Sequence, residues 1–324
     1  MLVKNADQKL RVGFILCKSF TLSAFGLFVD TLRLASDTLD NSGRVMADWQ
    51  VLASTRQPIN SSCGVQVVPT SILIDPRAFS YIVVVGGLLG VDDPLDDEAI
   101  AYLQRASSMK VPLIGVCTGT FVLAAAGLMK QHQTCVSWLH HREFRERFPD
   151  HRVRADRLFS LDRYRGSCAG GSSAADMAAT IVRQYISKAA ERNALEVLLL
   201  EKARTPFDIQ PRKSLAFQCD DPRIQAALIL MEGHIDQAIA IPKLASSIGL
   251  SRRQLERLFE TKLNMSPARA YRQVRLEHAK RLLLQSKAPL IDIALEVGFE
   301  NASHFSRVFK DTFGETPTQF RLAV

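Results

Sequence analysis

Long hydrophobic runs are missing from the chain. No apolar stretch reaches the ~20 residues that span a bilayer, and no charged-then-apolar leader opens the sequence. A membrane partner is therefore not expected, and the reading places the protein in the cytoplasm. Cysteine is sparse. The six thiols stand at positions 17, 63, 117, 135, 168 and 219, with no C-x-x-C pair and no Cys/His cluster at metal spacing. This pattern calls for no disulfide framework, metal or cofactor, and the cysteines read as reduced, mostly buried thiols. Charge is not extreme either. The net +8 is compatible with a polyanionic partner without requiring one. Residues 1–220 and 221–324 each carry +4, so the shorter, C-terminal part is the more densely basic and the better candidate for contacting nucleic acid.

What is present argues for two domains in 324 residues. Over the first two hundred residues, short β-branched runs alternate with helical patterns, as expected of an open, mostly parallel sheet covered by helices. Strands are predicted at 12–16, 50–54, 81–85, 112–116 and 158–161. Helices are predicted at 22–39, 96–107 and 172–185. Between about 205 and 222 the apolar period stops, and Pro206, Pro211, Pro222 and the Arg212-Lys213 pair mark a connector. The expected organisation is an α/β domain over 1–205, a linker over 206–222 and an all-α domain over 223–324.

The C-terminal part contains a duplication. Ala245, Ile248 and Gly249 recur 49 residues later as Ala294, Val297 and Gly298. After one inserted residue, Leu255, Leu258, Phe259, Leu263, Ser266 and Pro267 recur 50 later as Phe305, Val308, Phe309, Phe313, Thr316 and Pro317. Each copy reads as a short helix, a glycine turn and a second helix capped by Ser251 or Asn301, the arrangement that offers a helix to a major groove. The second helices are predicted at about 251–262 and 301–313. Leu255, Leu258 and Phe259 would point inward, leaving Arg252, Arg253, Gln254 and Arg257 outward. In the second copy Phe305, Val308 and Phe309 would face in, and Ser303, His304, Arg307 and Lys310 out. These residues, with Ser251 and Asn301 at the helix starts, are the candidate DNA contacts: arginine suits guanine or phosphate, glutamine and asparagine suit adenine, and lysine suits phosphate. Arg307 has a second reading, as a brace between helices. A helical protein-interaction module is the bland alternative for the whole region.

Residues 291–321, with G-F-x-N-x-S-H-F-S-R-V-F-K-x-x-F-G-x-T-P-x-x-F-R, closely resemble the AraC/XylS family signature. The resemblance covers about 221–324. It implies two recognition helices in successive major grooves of one duplex, joined by a long helix at 267–285. It also implies homodimerisation, with RNA polymerase as a further partner.

In the first domain a buried-looking strand at 112–116, a tight turn at 117–120 and an apolar helix at 121–129 form a nucleophile elbow on Cys117. Such a turn exposes one side chain at the carboxyl end of a sheet and aims a helix N-terminus at it, which favours negative charge. With Gly86, Gly87 and Gly90 after the preceding strand and the run from Cys168 to Asp176, the domain resembles the class I glutamine amidotransferase-like (PfpI-type) fold over about 10–195. A cysteine hydrolase needs a base. The family's histidine aligns with Ser137, and the neighbouring His140 and His141 read as surface residues. The family's acidic partner aligns with Asp30. Cys117 is accordingly read as part of a ligand pocket without catalysis, walled by Gly87, Leu88, Thr118, Ser137 and Trp138, with Asp30 nearby. Relatives of this architecture respond to amino acids or quaternary amines, and Trp138 offers a cation-π face. The expected function is a metabolite-responsive DNA-binding transcription regulator, here taken as an activator. The alternatives are a cysteine-dependent amidase or deglycase-like enzyme tethered to DNA, and a scaffold whose pocket is empty.

Overall fold

The computed structural model describes residues 9–37, 41–208, 210, 216–217, 219–286 and 288–322. Two compact units divide the chain after Gln210. The expected connector at 206–222 thus begins inside the first unit, which holds Gln210 by buried hydrogen bonds.

In the first unit the β-branched runs pair as a seven-stranded sheet. Its strands are β1 (Leu10–Leu16), β2 (Ala47–Ala53), β3 (Ser71–Ile72), β4 (Tyr81–Val85), β5 (Leu113–Val116), β6 (Phe159–Leu161) and β7 (Arg165–Cys168). The order across the sheet is β6-β7-β5-β4-β1-β2-β3. Every pairing is parallel except β6 with β7. All five predicted strands are present, whereas β3 and β7 were not foreseen. A parallel interior strand is buried on both faces, and β4 is buried at every residue.

Alternate residues of β4 serve opposite cores. Tyr81, Val83 and Val85 pack beneath α1 (Leu22–Ser36) and α5 (Ser173–Tyr185), joined by α6 (Lys188–Val197). Ile82 and Val84 pack beneath α2 (Asp97–Ser108), α3 (Gly119–Ala125) and α4 (His141–Arg147). The helix predicted to run to residue 129 stops earlier. Gly127 is left-handed at φ +76°, and Gly127 N–H and Leu128 N–H donate to the Ala124 and Leu123 carbonyls, a Schellman-type stop.

The second unit is helical: α7 (Pro222–Glu232), α8 (Ile241–Ser247), α9 (Arg252–Leu263), α10 (Pro267–Gln285), α11 (Leu290–Glu296), α12 (Ala302–Phe313) and α13 (Pro317–Leu322). One core gathers Leu228, Leu244, Leu255, Phe259 and Val274; a second gathers Leu276, Leu283, Ile293, Phe305 and Phe309. The long helix α10 contributes to both. Among the described residues, no helix is long and apolar enough to cross a membrane, and no group of three or more His, Cys, Asp or Glu could hold a metal ion.

Asp221 caps α7, accepting from Arg223 N–H at 3.0 Å while its other oxygen takes the Arg223 guanidinium at 2.8 Å. The bond from that guanidinium holds the carboxyl down at about 2, below its ordinary value of 3.8. The carboxylate therefore stabilises the fold fully above about pH 4, and this contribution is lost as pH falls through about 2. Asp221→Asn, which keeps a capping oxygen, is expected to flatten that part of an acid-unfolding curve followed by circular dichroism.

Candidate functional sites

The two halves of the helical unit carry the same surface. Gly249 and Gly298 both turn at φ +73°. On α9, Leu255 and Phe259 are buried with Leu258 partly so; on α12, Phe305 and Phe309 are buried with Val308 partly so. The predicted outward residues Arg252, Arg253, Gln254, Arg257, Ser303, His304, Arg307 and Lys310 are all exposed.

Their side chains are not equally free. Ser251 and Gln254 form a capping box, Ser251 Oγ accepting from Gln254 N–H at 3.3 Å and Gln254 Oε1 from Ser251 N–H at 2.8 Å. Asn301 Oδ1 accepts from His304 N–H at 2.8 Å, and the His304 ring lies edge-on to Phe299. Arg252 pairs with Glu256 at 2.8 Å. Ser251, Gln254 and Asn301 thus define where the helices start. Among the described residues, the side chains of Arg253, Arg257, Arg307 and Lys310 take no hydrogen bond or ion pair, so at least two uncommitted cations stand on each helix. The bracing role considered for Arg307 falls instead to Arg275 of α10, which donates to the carbonyls of Val297 (2.5 Å) and Gly298 and stacks over Phe299.

In the first unit Cys117 follows β5 in the left-handed region, at φ +56°. A non-glycine residue there costs roughly 1–3 kcal/mol, a strain typical of sites where one side chain must be presented. The turn closes tightly. A Cβ on Gly86 would run into the backbone of Thr118 and Gly119, and one on Gly115 would lie 2.6 Å from Thr120 Cα. The start of α3 therefore lies flush on β4 and β5, which only these small residues allow.

Around Cys117 converge the carboxyl ends of four parallel strands. Its N–H donates to Cys168 O, the last residue of β7, and its Sγ lies 3.5 Å from Thr21 Oγ1 after β1. Thr118 Oγ1 donates to Gly87 O after β4 at 3.0 Å. This is the crevice where open α/β sheets bind ligands. Burial pushes the Cys17 thiol up to about 12 and the Cys168 thiol up to about 11, with Cys117 adding to both. Both neighbours stay protonated, and the half-buried Cys117 is the accessible sulfur of the group. The expectation of mostly buried thiols holds for half of them: Cys17, Cys135 and Cys168 are buried, Cys117 and Cys219 partly so, and Cys63 is exposed.

The other predicted pocket residues divide. Gly87 and the exposed Leu88 border the elbow. The turn bearing Ser137 and Trp138 is anchored beside β7 by Cys135 N–H donating to Ser167 Oγ at 2.7 Å, and His140 of that turn stacks edge-on to Phe121 of α3. Ser137 Oγ accepts from Leu139 N–H at 3.3 Å. His140 and His141 are not surface residues: His141 is only 4% exposed, because the start of α4 packs Phe144 against Phe121, and burial lowers the pKa of His140. Asp30 is brought to no partner at the elbow. It lies about 13 Å along α1 from Thr21, at 1.5 Å per residue, and its carboxylate pairs with Arg33 at 3.3 Å.

Two anchors were not foreseen. Asp176 of α5, side chain 3% exposed, accepts from Arg204 N–H and the Arg204 guanidinium, both at 2.7 Å, and Arg204 also reaches Ser172. Gln210, 3% exposed, accepts from Trp138 N–H at 2.9 Å and donates to the Val136 and Arg157 carbonyls at 2.8 Å. The last residues of the first unit are thus fastened to the walls on both sides of the Cys117 turn.

Residues 244–323 match the helix-turn-helix domain family and residues 32–158 the DJ-1/PfpI family. The chain is 32% identical over 312 residues to the HTH-type transcriptional regulator GbdR of Pseudomonas aeruginosa, covering 96% of this chain and 83% of that protein. It belongs to the AraC-type transcription regulators with a DJ-1/PfpI-type domain. The HTH-type transcriptional regulator GlxA of Rhizobium meliloti is 30% identical to this AraC-type regulator, over 96% of its chain and 95% of GlxA. A crystal structure of an AraC family transcriptional regulator from Pseudomonas putida shares the fold over 58% of this chain and 99% of its own, at TM-score 0.50 and 24% identity. The relatives that span the chain are named as transcriptional regulators, and the Cys117 elbow therefore sits in a regulator.

Proposed function

We propose that this regulator reads double-stranded DNA with α9 and α12 and adjusts that reading when a small amine-bearing metabolite, an amino acid or a quaternary amine, occupies the Cys117 crevice. The observation that carries the sensing half is the elbow itself. Cys117 is strained into φ +56° and left accessible among four strand ends, yet the position of the hydrolase base holds Ser137, whose hydroxyl caps a turn. Strain that presents a sulfur without a base supports a binding role over catalysis. Gly87, Leu88, Cys117, Thr118, Ser137 and Trp138 wall the crevice, with Trp138 as the π face for a cationic head. Asp30, on the far part of α1, acts through α1 and not at the sulfur. Assembly as a homodimer and contact with RNA polymerase complete this reading, in which the protein works as an activator in the cytoplasm.

The route from crevice to DNA is chain connectivity. The segment from Arg204 to Gln210 leads to the helical unit, and its two anchors sit on the crevice walls. A ligand that shifts either wall changes the hold on that segment.

A thermal-shift screen of amino acids and quaternary amines tests the reading, because a ligand specific for the folded state at a hundred times its Kd adds about 2.7 kcal/mol. One compound class is expected to raise the Tm of the first unit, with the rise reduced in Cys117→Trp, which fills the crevice. Cys117→Ala is expected to keep wild-type DNA affinity without ligand. Amide hydrolysis that disappears in Cys117→Ala would instead establish the tethered-enzyme alternative.

A further inference from the structure

Arg275 is an unusual arginine. It projects from the middle of α10, is half-buried, and meets no carboxylate among the described residues. Its guanidinium donates to the carbonyls of Val297 and Gly298, the C-cap of α11 and the residue after it, at the end where the helix dipole places partial negative charge. Its face covers Phe299, with the guanidinium carbon 5.0 Å from the ring centroid. One side chain therefore holds the end of α11, the glycine turn and the first apolar residue after it.

The same turn also rests on the other half of the unit. A Cβ on Gly298 would lie 2.7 Å from both the Ile235 and the Asp236 carbonyl, in the loop between α7 and α8. Ile235 itself is buried in the second core. That loop is in turn fixed by Tyr271, one helical turn before Arg275, whose hydroxyl donates to His234 O at 2.7 Å and accepts from Ile239 N–H at 3.1 Å. Among the described residues the first motif has no counterpart: none lies within 4 Å of a Cβ placed on Gly249. The clamp at Gly298 is thus an addition to the duplicated motif, placed where the two halves meet.

We propose that Arg275 is a positioning residue for DNA recognition: by clamping the α11–α12 turn to α10 and the 235–236 loop, it sets the half-site spacing that one chain accepts. The recognition helices read their elements through Arg253, Arg257, Arg307 and Lys310, and Arg275 touches neither element. Freeing the turn lets α12 rock relative to α9. Each element is then still read, but the second contact is made at a lower effective concentration, and neighbouring spacings become acceptable.

The test rests on the DNA-binding reading and uses full-length protein selecting duplexes from a random-sequence pool. Wild type is expected to enrich two elements at a single centre-to-centre spacing of about 10–10.5 base pairs. Arg275→Met is expected to enrich the same two elements over several spacings. It should bind the wild-type two-element site at least about tenfold more weakly and a single-element duplex with unchanged affinity. Arg275→Lys, which keeps the cation but not the two-carbonyl fork, should fall between, and carries the same test if the methionine variant does not fold. Unaltered spacing and affinity would overturn the proposal, as would equal losses on one-element and two-element duplexes together with a lower Tm. Wild type that selects one element only overturns it too, whereas wild type that selects no duplex removes the DNA-binding reading beneath it.

Discussion

Replacing Arg253 and Arg307 together by alanine is expected to weaken duplex binding by about 2–6 kcal/mol, from roughly 1–3 for each specific arginine contact. The singles should each lose about tenfold to a hundredfold. The reason lies in their freedom: each side chain projects from a helix with a buried apolar face, and neither is held by a partner among the described residues. Arg252, by contrast, is engaged by Glu256 at 2.8 Å, and Arg252→Ala should cost less. Fluorescence anisotropy over a range of salt concentrations separates the roles. An arginine on phosphate lowers the salt slope by about 0.9 when removed, while one on a base edge chiefly relaxes sequence preference. Wild-type affinity in the double variant would show that α9 and α12 do not read the duplex.

The second large effect concerns the exit segment of the first unit. Arg204→Ala leaves Asp176 buried at 3% side-chain exposure with only the Arg204 N–H to satisfy it. Orphaning a buried charge costs about 3–5 kcal/mol when nothing else compensates. The surviving backbone bond and the one-third exposure of Arg204 bring the expected loss down to about 2–3 kcal/mol. The reverse change, Asp176→Asn, strands no charge, because the guanidinium can turn to solvent, and about 1 kcal/mol is expected. Differential calorimetry of the first unit's transition checks this asymmetry. Asp176→Asn is also expected to expose the peptide after Arg204 to trypsin, which the ion pair shields in the wild type. Equal losses for the two variants would mean that the pair contributes as an ordinary surface contact.

How much of this could be read from residues alone follows physical lines. The duplicated helical motif was legible because its apolar stripe and left-handed glycines obey a local period, and both helix starts came from capping residues beside that stripe. The elbow was legible as strand, cysteine and apolar helix in succession. Strand β7 was not. Its sequence, Arg-Gly-Ser-Cys, has no β-branched or aromatic residue, and it is a strand because β5 and β6 flank it, a tertiary effect that outweighs propensity. The anchors Arg204, Gln210 and Arg275 were invisible for a related reason. Each acts on carbonyls or a carboxylate brought near by folding, and nothing in local spacing marks an arginine that will cap a helix more than twenty residues away. His140 and His141 were misplaced because polarity near a charged helix suggests solvent, whereas Phe144, Phe148 and Phe121 draw that helix's first turn inward. Asp30 was aligned with a partner of the elbow, but it sits more than two turns along α1 from the residue that touches Cys117.

The most direct test of two basic helices on one duplex is a hydroxyl-radical footprint of the full-length protein on a selected site at low ionic strength. Two protected patches on the same face of the DNA, about one helical turn apart and both lost in the Arg253→Ala/Arg307→Ala variant, are the expected result. A single patch that survives the double substitution, or no protection at any protein concentration, would contradict it.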